Sequence, residues 1–186
     1  GRADKLGNLY ESKWLVKQYI RLLRGQIAGV IHEPIQDATT GIDIEVHLHN
    51  GSIEYYQCKG FNSDKQWTPT ALNREKILEK AANILQASNN SVYTFVTADS
   101  VSIMRDLCER AKNSTGSIQD YRSQLSENLR ENFEAVCIPI GNDPQTSLDC
   151  LRRMSFIQQP DDEEYEKKLI LFLSFLVTNH QTAYSL

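Results

Sequence analysis

The stretch GIDIEVHLH, residues 41 to 49, alternates strictly between apolar and polar side chains. Such alternation puts successive side chains on opposite faces and predicts a half-buried β-strand. Asn50 and Gly51 follow at once, and this pair is a strong signal for a hairpin turn. Residues 53 to 59, IEYYQCK, then form the returning strand. A β-hairpin over 41 to 59 is therefore the element around which the rest of the chain must fold.

The length of the hairpin loop decides which side chains meet across the two strands. A two-residue loop would set Asp43 opposite Cys58. A three-residue loop, with Gly51 in the left-handed position, sets Asp43 opposite Gln57. The second register is adopted because it sorts the side chains into one apolar and one polar face. The apolar face carries Ile42, Ile44, Val46, Leu48, Tyr56 and Cys58, and the polar face carries Asp43, Glu45, Tyr55, Gln57 and Lys59.

In this register a carboxylate, an amide oxygen and an ammonium group converge on one face, from Asp43, Gln57 and Lys59. Oxygen ligands at this density suit a hard divalent cation such as Mg²⁺. A lysine beside the metal can orient the attacking water or stabilise charge that develops on a phosphate. Simpler interpretations stay open at this point: a solvated Asp43, an amide that satisfies a backbone group, and a lysine stem that covers the strand end.

The remaining pattern predicts an α/β protein with a mixed sheet flanked by helices, in the element order α-β-β-β-α-β and then mostly helix. The predicted helices cover residues 4–24, 69–88, 100–112, 117–132, 146–156 and 162–179. Besides the hairpin, the predicted strands cover residues 27–33, 91–97 and 135–140.

The composition is that of one globular domain, with 186 residues and a net charge of −4. That charge argues against tight nonspecific nucleic-acid binding by this chain alone.

The four cysteines form no CxxC pair, and no secretion signal precedes them, so reduced thiols in a cytoplasmic protein are expected. No apolar run approaches the roughly 18 residues of a membrane span. A single domain over 1–186, excised from a larger protein, is the expectation.

The spacing D-x13-QxK, from Asp43 to Gln57 and Lys59, resembles that of the PD-(D/E)xK nuclease superfamily, which has the restriction-endonuclease-like fold. GIDIEV and YYQCKG are similar to the Mrr-like branch, in which a glutamine replaces the second acid and a helical glutamate joins the site. Glu11 in GNLYESKWLV matches that glutamate. The resemblance covers a core of about residues 4–97. The extension over about 100–186 resembles the double-stranded-DNA endonuclease domains of bacterial anti-phage effectors, including SAVED-domain effectors and STAND NTPases.

The resemblance implies a Mg²⁺-dependent endonuclease, with Mn²⁺ able to substitute, that cuts double-stranded DNA with low sequence specificity. Asp43 and Glu11 would hold the metal, and Gln57 and the Cys58 backbone carbonyl would complete the protein ligands. Lys59 would serve the attacking water, and Glu45 and Glu33 are secondary candidates. A homo-oligomer, dimer or tetramer, is implied because two strands must be cut. Fusion to sensor or NTPase domains and no membrane association are implied as well.

Two departures from the family pattern keep other functions open. Gln57 is neutral, which removes one charge from the site, and no proline precedes Asp43. One alternative is a nuclease-derived scaffold or oligomerisation module without catalysis. Another is a nuclease that acts on RNA or on DNA junctions.

Overall fold

The computed structural model describes residues 2–35, 41–60 and 66–159 together with positions 167, 170, 171 and 174, and it describes side chains from residue 10 onward. The first half contains α1 (Arg2–Leu23), β1 (Gly29–His32), β2 (Ile44–His47), β3 (Ile53–Lys59), α2 (Pro69–Arg74), α3 (Ile77–Ala87) and β4 (Ser91–Thr97). The second half contains α4 (Ser102–Asn113), α5 (Ile118–Ser123), α6 (Glu127–Cys137), a 3₁₀ turn (Ile138–Ile140), α7 (Pro144–Arg153) and β5 (Met154–Gln158).

The strands form one sheet in the order β1-β2-β3-β4-β5. The first three strands are antiparallel neighbours, whereas β3, β4 and β5 run parallel. The predicted α/β class, the mixed sheet and the order α-β-β-β-α-β are thereby confirmed, with three strands separating the first helix from the others along the chain. No helix in the described part of the chain is long and apolar enough to cross a bilayer.

The hairpin has the predicted register. Ile44 lies opposite Tyr56, and the pairing continues without a shift through all four residue pairs of the ladder, to His47 opposite Ile53. The Leu48 N–H donates to the Ser52 carbonyl at 2.9 Å, and Gly51 closes the three-residue loop with φ of 80°. Such a φ suits glycine, which has no Cβ to clash in the left-handed region. The residues of the loop, together with the division of the side chains into an apolar and a polar face, were sufficient to predict which residues of β2 and β3 pair.

The hairpin departs from the prediction at its open end. The N–H of Asp43 donates to the carbonyl of Tyr56 at 3.0 Å, so Asp43 and Ile44 both face Tyr56, as in a β-bulge. One extra residue reverses the alternation, and Ile42 therefore packs with α3 and not beside Ile44. The prediction that Ile42 and Ile44 share a face is wrong for this reason. The predicted pairing of Asp43 with Gln57 is wrong for the same reason, and the Asp43 carboxylate instead accepts the N–H of Cys58.

Both faces of the sheet are covered. One face packs on α1 through the α1-side core, which consists of Tyr10, Trp14, Ile20, Ile27, Ile44, Val46, Tyr56, Cys58 and Val96. The other face packs on the remaining helices through the helix-side core, whose large members include Trp67, Leu72, Leu78, Leu85, Tyr93, Phe95, Met104, Phe133, Leu151 and Phe156. The face predicted as polar is therefore not a solvated one, and its Glu45 and Gln57 are buried.

The apolar spacing along residues 4–24 predicts a buried stripe on this helix that includes Tyr19 and Leu23. The buried side of α1 is rotated from that stripe, since Tyr19 and Leu23 are 42% and 68% exposed, while Gln18 is 1% exposed. Arg21 explains the difference, because its guanidinium donates to Gln18 and to the Glu54 carboxylate, each at 2.8 Å. A hydrogen-bonded polar cluster can be buried at low cost where isolated polar groups cannot.

Three other predicted elements are corrected. The helix over 69–88 is two helices, since Lys76 adopts a left-handed conformation with φ of 55° between α2 and α3. The helix over 117–132 is likewise divided into α5 and α6. Residues 135–140 are not a strand: Phe133, Val136, Cys137 and Ile140 are buried at i, i+3, i+4 and i+7, which is helical spacing.

The C-terminal extension is not purely helical either. The helix predicted over 146–156 ends at Arg153, and β5 follows directly and adds a fifth strand to the sheet. Met154 and Phe156 are buried and Ser155 is not, an alternation too short to be recognised directly after a helical pattern. Most of the predicted helix over 162–179 lies outside the described residues, and its described positions are helical. All four cysteines are buried free thiols.

Candidate functional site

The ends of three strands meet at one end of the sheet. Glu33, directly after β1, donates its N–H to the carbonyl of Asp43 at 2.8 Å. Asp43 directly precedes β2, and Lys59 is the last residue of β3. The helix α1 packs across β1 and β3 and brings Glu11 to the same end. The topology thus gathers four charged side chains from four separate elements, and these four are called the acidic corner below: Glu11, Glu33, Asp43 and Lys59.

Asp43 is the half-buried centre of the acidic corner. Its carboxylate accepts the N–H of Cys58 at 2.5 Å. Burial raises the pKa of Asp43 to about 6, against the lowering effect of the Cys58 N–H, and the charges of Glu11 and Glu33 raise it further while Lys59 lowers it. These effects are those of desolvation and of like charges at close range. A buried carboxylate surrounded by other carboxylates is an arrangement that a cation would stabilise.

Glu11, His32 and Glu33 form a compact group of possible metal ligands. One ligand atom from each lies within 4.8 Å of the others, and Glu11 Oε1 is 2.8 Å from His32 Nε2. Glu33 reaches this position with φ of 48°, a left-handed conformation that is uncommon for a residue with a side chain. The Asp43 carboxylate, which is held by Cys58, is not a member of that compact group. Glu33, predicted as a secondary candidate, therefore joins Glu11 and His32 in one group of possible ligands.

Reasoning from the sequence did not identify His32. It ends β1, where it pairs with Ile44 of β2, one residue from Asp43. A signal did exist, because Pro34 limits the strand predicted over 27–33, and an antiparallel partner would bring that end beside the start of β2. The alternation along each strand does not say which strands pair, so the sequence pattern alone does not single out this histidine.

Gln57 is held on the helix side of the sheet. It is 4% exposed, and its Oε1 accepts a 2.6 Å hydrogen bond from the hydroxyl of Tyr93. Burial, and then the charge of Asp43, raise the pKa of Tyr93 well above its usual value, so the phenol keeps its proton for this bond. An amide oxygen has two lone pairs, and this hydrogen bond uses one of them. Tyr93 is thus the residue that orients Gln57, and sequence reasoning did not find it.

Cys58 contributes its backbone to the site. Its N–H holds Asp43, and its thiol belongs to the α1-side core. Burial raises the pKa of this thiol well above its usual range, with further contributions from Asp43 and Glu11. The thiol therefore keeps its proton at neutral pH, and among the described residues it is not grouped with the possible metal ligands. The role predicted for its carbonyl stays a prediction.

Glu45 lies apart from the acidic corner. Its carboxylate is 2.7 Å from Nε2 of His47, and its charge, after burial, raises the pKa of the neighbouring Tyr55. Among the described residues, Glu45 is not grouped with the potential ligands Glu11, His32 and Glu33. The structure thus separates the two secondary candidates, with Glu33 in the acidic corner and Glu45 outside it.

Lys59 is half-buried, and its charge acts on Asp43. Its ammonium makes no hydrogen bond or ion pair with any residue that the structure describes. A cation that is partly removed from water and has no fixed partner can receive an anionic group from a ligand.

No protein-family model and no curated protein matches the sequence. Among solved structures, the chain is similar to the Acinetobacter baumannii Cap4 SAVED/CARF-domain containing receptor, determined with the cyclic trinucleotide 3'3'3'-cAAA. The TM-score is 0.50 and the identity 16%, over 92% of this chain and 36% of that one. The chain thus spans about a third of the receptor's length. At this identity the similarity concerns the fold.

Proposed function

We propose that this chain is a metal-dependent endonuclease domain of the restriction-endonuclease-like fold, which hydrolyses phosphodiester bonds in double-stranded DNA with low sequence specificity. The observation that carries the proposal is the acidic corner. Three carboxylates and one lysine without a partner among the described residues lie at one end of the sheet, each supplied by a different element. Asp43 and Lys59 belong to the D-x13-QxK spacing, and Glu11 is the helical glutamate that the resemblance implies. The element order α-β-β-β-α-β supports the fold assignment.

The residues fit a divalent cation by their chemistry. Carboxylate oxygens suit Mg²⁺ and Mn²⁺, and the imidazole of His32 adds a nitrogen ligand that Mn²⁺ accepts more readily than Mg²⁺. Glu11, Glu33 and Asp43 would hold the ion, with Gln57 and the Cys58 carbonyl as further ligands. The ion would supply Lewis-acid stabilisation of the scissile phosphate.

The side chains of the protein have separate tasks in this scheme. The Cys58 N–H holds the Asp43 carboxylate in place before any ligand arrives. Tyr93 fixes the amide of Gln57 in one orientation. The Lys59 ammonium lies where it can neutralise charge that develops on the phosphate or orient the attacking water. Such preorganised charges are effective because they need no rearrangement during the reaction.

We also propose that the domain works in an assembly and as part of a larger anti-phage effector. One site cuts one strand, so a duplex break needs two copies. The net charge of −4 gives a single copy little electrostatic hold on DNA. Similarity to part of a SAVED/CARF-domain containing receptor supports an arrangement in which a sensor controls the assembly.

The test is incubation with supercoiled plasmid and Mg²⁺ or Mn²⁺ over a range of protein concentrations, with EDTA as the control. The expected result is nicked and then linear DNA, abolished by EDTA and by Asp43→Ala. A duplex RNA and a branched DNA junction, tested in parallel, separate the possible substrates. A folded, assembled protein that cuts none of them in either metal would favour the scaffold alternative.

A further inference from the structure

A second lysine, Lys80, reaches the same end of the sheet from α3. A Cβ built on Gly41 would lie 2.6 Å from Lys80 Nζ and 3.5 Å from its Cδ and Cε. The end of the lysine side chain therefore lies directly over the Gly41 backbone. Gly41 also has φ of 88°, so its conformation as well as this close approach favours glycine.

The position of Gly41 relates Lys80 to the acidic corner. Gly41 precedes Asp43 by two residues, so their Cα atoms lie at most about 7 Å apart. Phosphates of one DNA strand follow each other every 3.4 Å or so along the helix axis. A phosphate one or two steps from the scissile one would therefore lie within reach of the Lys80 ammonium.

Among the described residues, the ammonium group of Lys80 has no hydrogen-bonding or charged partner. The half-buried basic residues Arg21, Arg110, Arg152 and Arg153 all donate to carboxylates or carbonyls. By contrast, the half-buried ammonium groups of Lys59 and Lys80 make no hydrogen bond, ion pair or ring contact among the described residues. Holding a long side chain half-buried costs conformational entropy, which an unpartnered charge does not recover by itself.

We infer that Lys80 is a positioning residue that binds a non-scissile phosphate of the duplex, next to the phosphate at the acidic corner. The inference rests on the proposed function for the identity of its ligand. Lys59 would act on the reacting phosphate and Lys80 on its neighbour, and together they would set the direction in which the strand crosses the sheet end. Such contacts carry no sequence information, in keeping with low specificity.

The experiment measures equilibrium binding of the whole chain to a labelled DNA duplex, by fluorescence anisotropy in Ca²⁺, as NaCl is varied. Lys80→Met keeps the stem over Gly41 and removes the charge. Removal of one lysine–phosphate interaction should reduce the slope of log K against log salt by about 0.9. Lys80→Arg should restore the slope. Lys112→Met is the matched control, because it removes an exposed lysine that donates to Ser155 Oγ from α4 at 3.0 Å.

An unchanged slope for Lys80→Met, an equal reduction for Lys112→Met, or no salt-dependent binding by the unmodified chain would overturn the inference. Cleavage by the unmodified chain in Mg²⁺, followed in parallel, separates the two proposals. If that chain binds DNA but never cuts it, the proposed function fails, while a reduced slope for Lys80→Met still supports the phosphate contact.

Discussion

Asp43 shows at the scale of one residue how the fold prepares a charged site. The side chain is desolvated and faces two further acids, so its charged form is unfavourable, yet the Cys58 N–H holds it in a fixed position. In the absence of a cation this arrangement lowers the free energy of unfolding. Under the proposed function, the binding of a cation accounts for this arrangement, as is common for perturbed ionisable groups in clefts.

The first prediction follows from the sign of that pKa shift. The pKa of Asp43 is raised in the folded state from 3.8 to about 6, so its contribution to stability is present below pH 3.8 and is lost as pH rises through about 6. For the metal-free protein, Asp43→Asn should raise the free energy of unfolding at neutral pH by about 1–2 kcal/mol, because the neutral amide avoids the repulsion. The gain should vanish near pH 4. Urea unfolding at both pH values measures it, and a less stable variant at neutral pH would contradict this account.

The second prediction concerns the metal itself. Mn²⁺ should raise the Tm of the unmodified protein at neutral pH, and the increase should shrink below about pH 6, where Asp43 becomes protonated. Glu11→Gln should remove most of the increase at any pH. Glu79→Gln on the exposed side of α3 should keep it, and serves as the control. Equal Tm increases for both variants would show that the ion binds elsewhere.

Single residues were predictable from the sequence where a local pattern fixed their position. The hairpin register placed Gln57 and helix position placed Glu11, whereas the β-bulge moved Asp43 away from its predicted partner. His32 and Tyr93 could not be found in this way, because their contacts depend on the pairing of β1 with β2 and of β3 with β4. Those pairings depend on packing between elements that are distant in sequence.

At the scale of elements, the junction between α2 and α3 is the point where packing overrides local preference. Residues 70–88 contain neither glycine nor proline to mark a helix end, yet Lys76 interrupts the helix in a left-handed conformation. The break lets each helix turn its own apolar side to the helix-side core, with Leu72 in α2 and Leu78 in α3 both fully buried. No periodicity in the sequence marks this change of direction, so it could not be predicted.

A third prediction tests that junction. A left-handed conformation costs a residue with a Cβ about 1–2 kcal/mol, while glycine loses more backbone entropy on folding. Lys76→Gly should therefore raise the free energy of unfolding by about 0.5–1 kcal/mol. Lys76→Ala removes the same side chain without relieving the backbone and should give no such increase. Urea midpoints at neutral pH compare the two, and equal midpoints would count against the left-handed assignment.

The β2–β3 hairpin and the edge strand β5 differ in how well they could be predicted from the sequence. The hairpin was predictable because its turn and its alternation agree, whereas β5 lies between a helix and residues 160–166, without turn residues before it. Its pairing with β4 is long-range and parallel, the kind of contact that local patterns do not encode. The element order of the core was thus predictable, and the fifth strand was not.

At the scale of the whole molecule, the net charge of −4 and the one acidic corner per chain are the grounds on which we propose activity in an assembly. Ile170 and Leu171, helical positions near the end of the described chain, are 62% and 54% exposed. Apolar side chains exposed together are often covered by a partner chain. These two residues are candidates for the contact between copies.

The fourth prediction is a steep dependence of double-strand cleavage on protein concentration, with nicking dominant in dilute protein. Ile170→Glu should shift the dependence to higher concentration, because a buried charge disfavours the contact. Its nicking rate per copy should be unchanged. Plasmid gels over a dilution series, with light scattering for the mass, measure both quantities. Double-strand cleavage in simple proportion to dilute monomer would argue against the assembly.

The measurement that tests the central claim most directly is the single-turnover rate of cleavage of a labelled DNA duplex in Mg²⁺ by Lys59→Met. This change keeps the stem and removes only the charge at the acidic corner, so folding and metal-induced stabilisation should survive. We predict a fall of about 10²- to 10³-fold relative to the unmodified chain, the usual effect of removing one preorganised charge. Lys112→Met should cleave at the unmodified rate. A folded Lys59→Met protein that cuts DNA as fast as the unmodified chain would contradict the assignment of the acidic corner as the catalytic site.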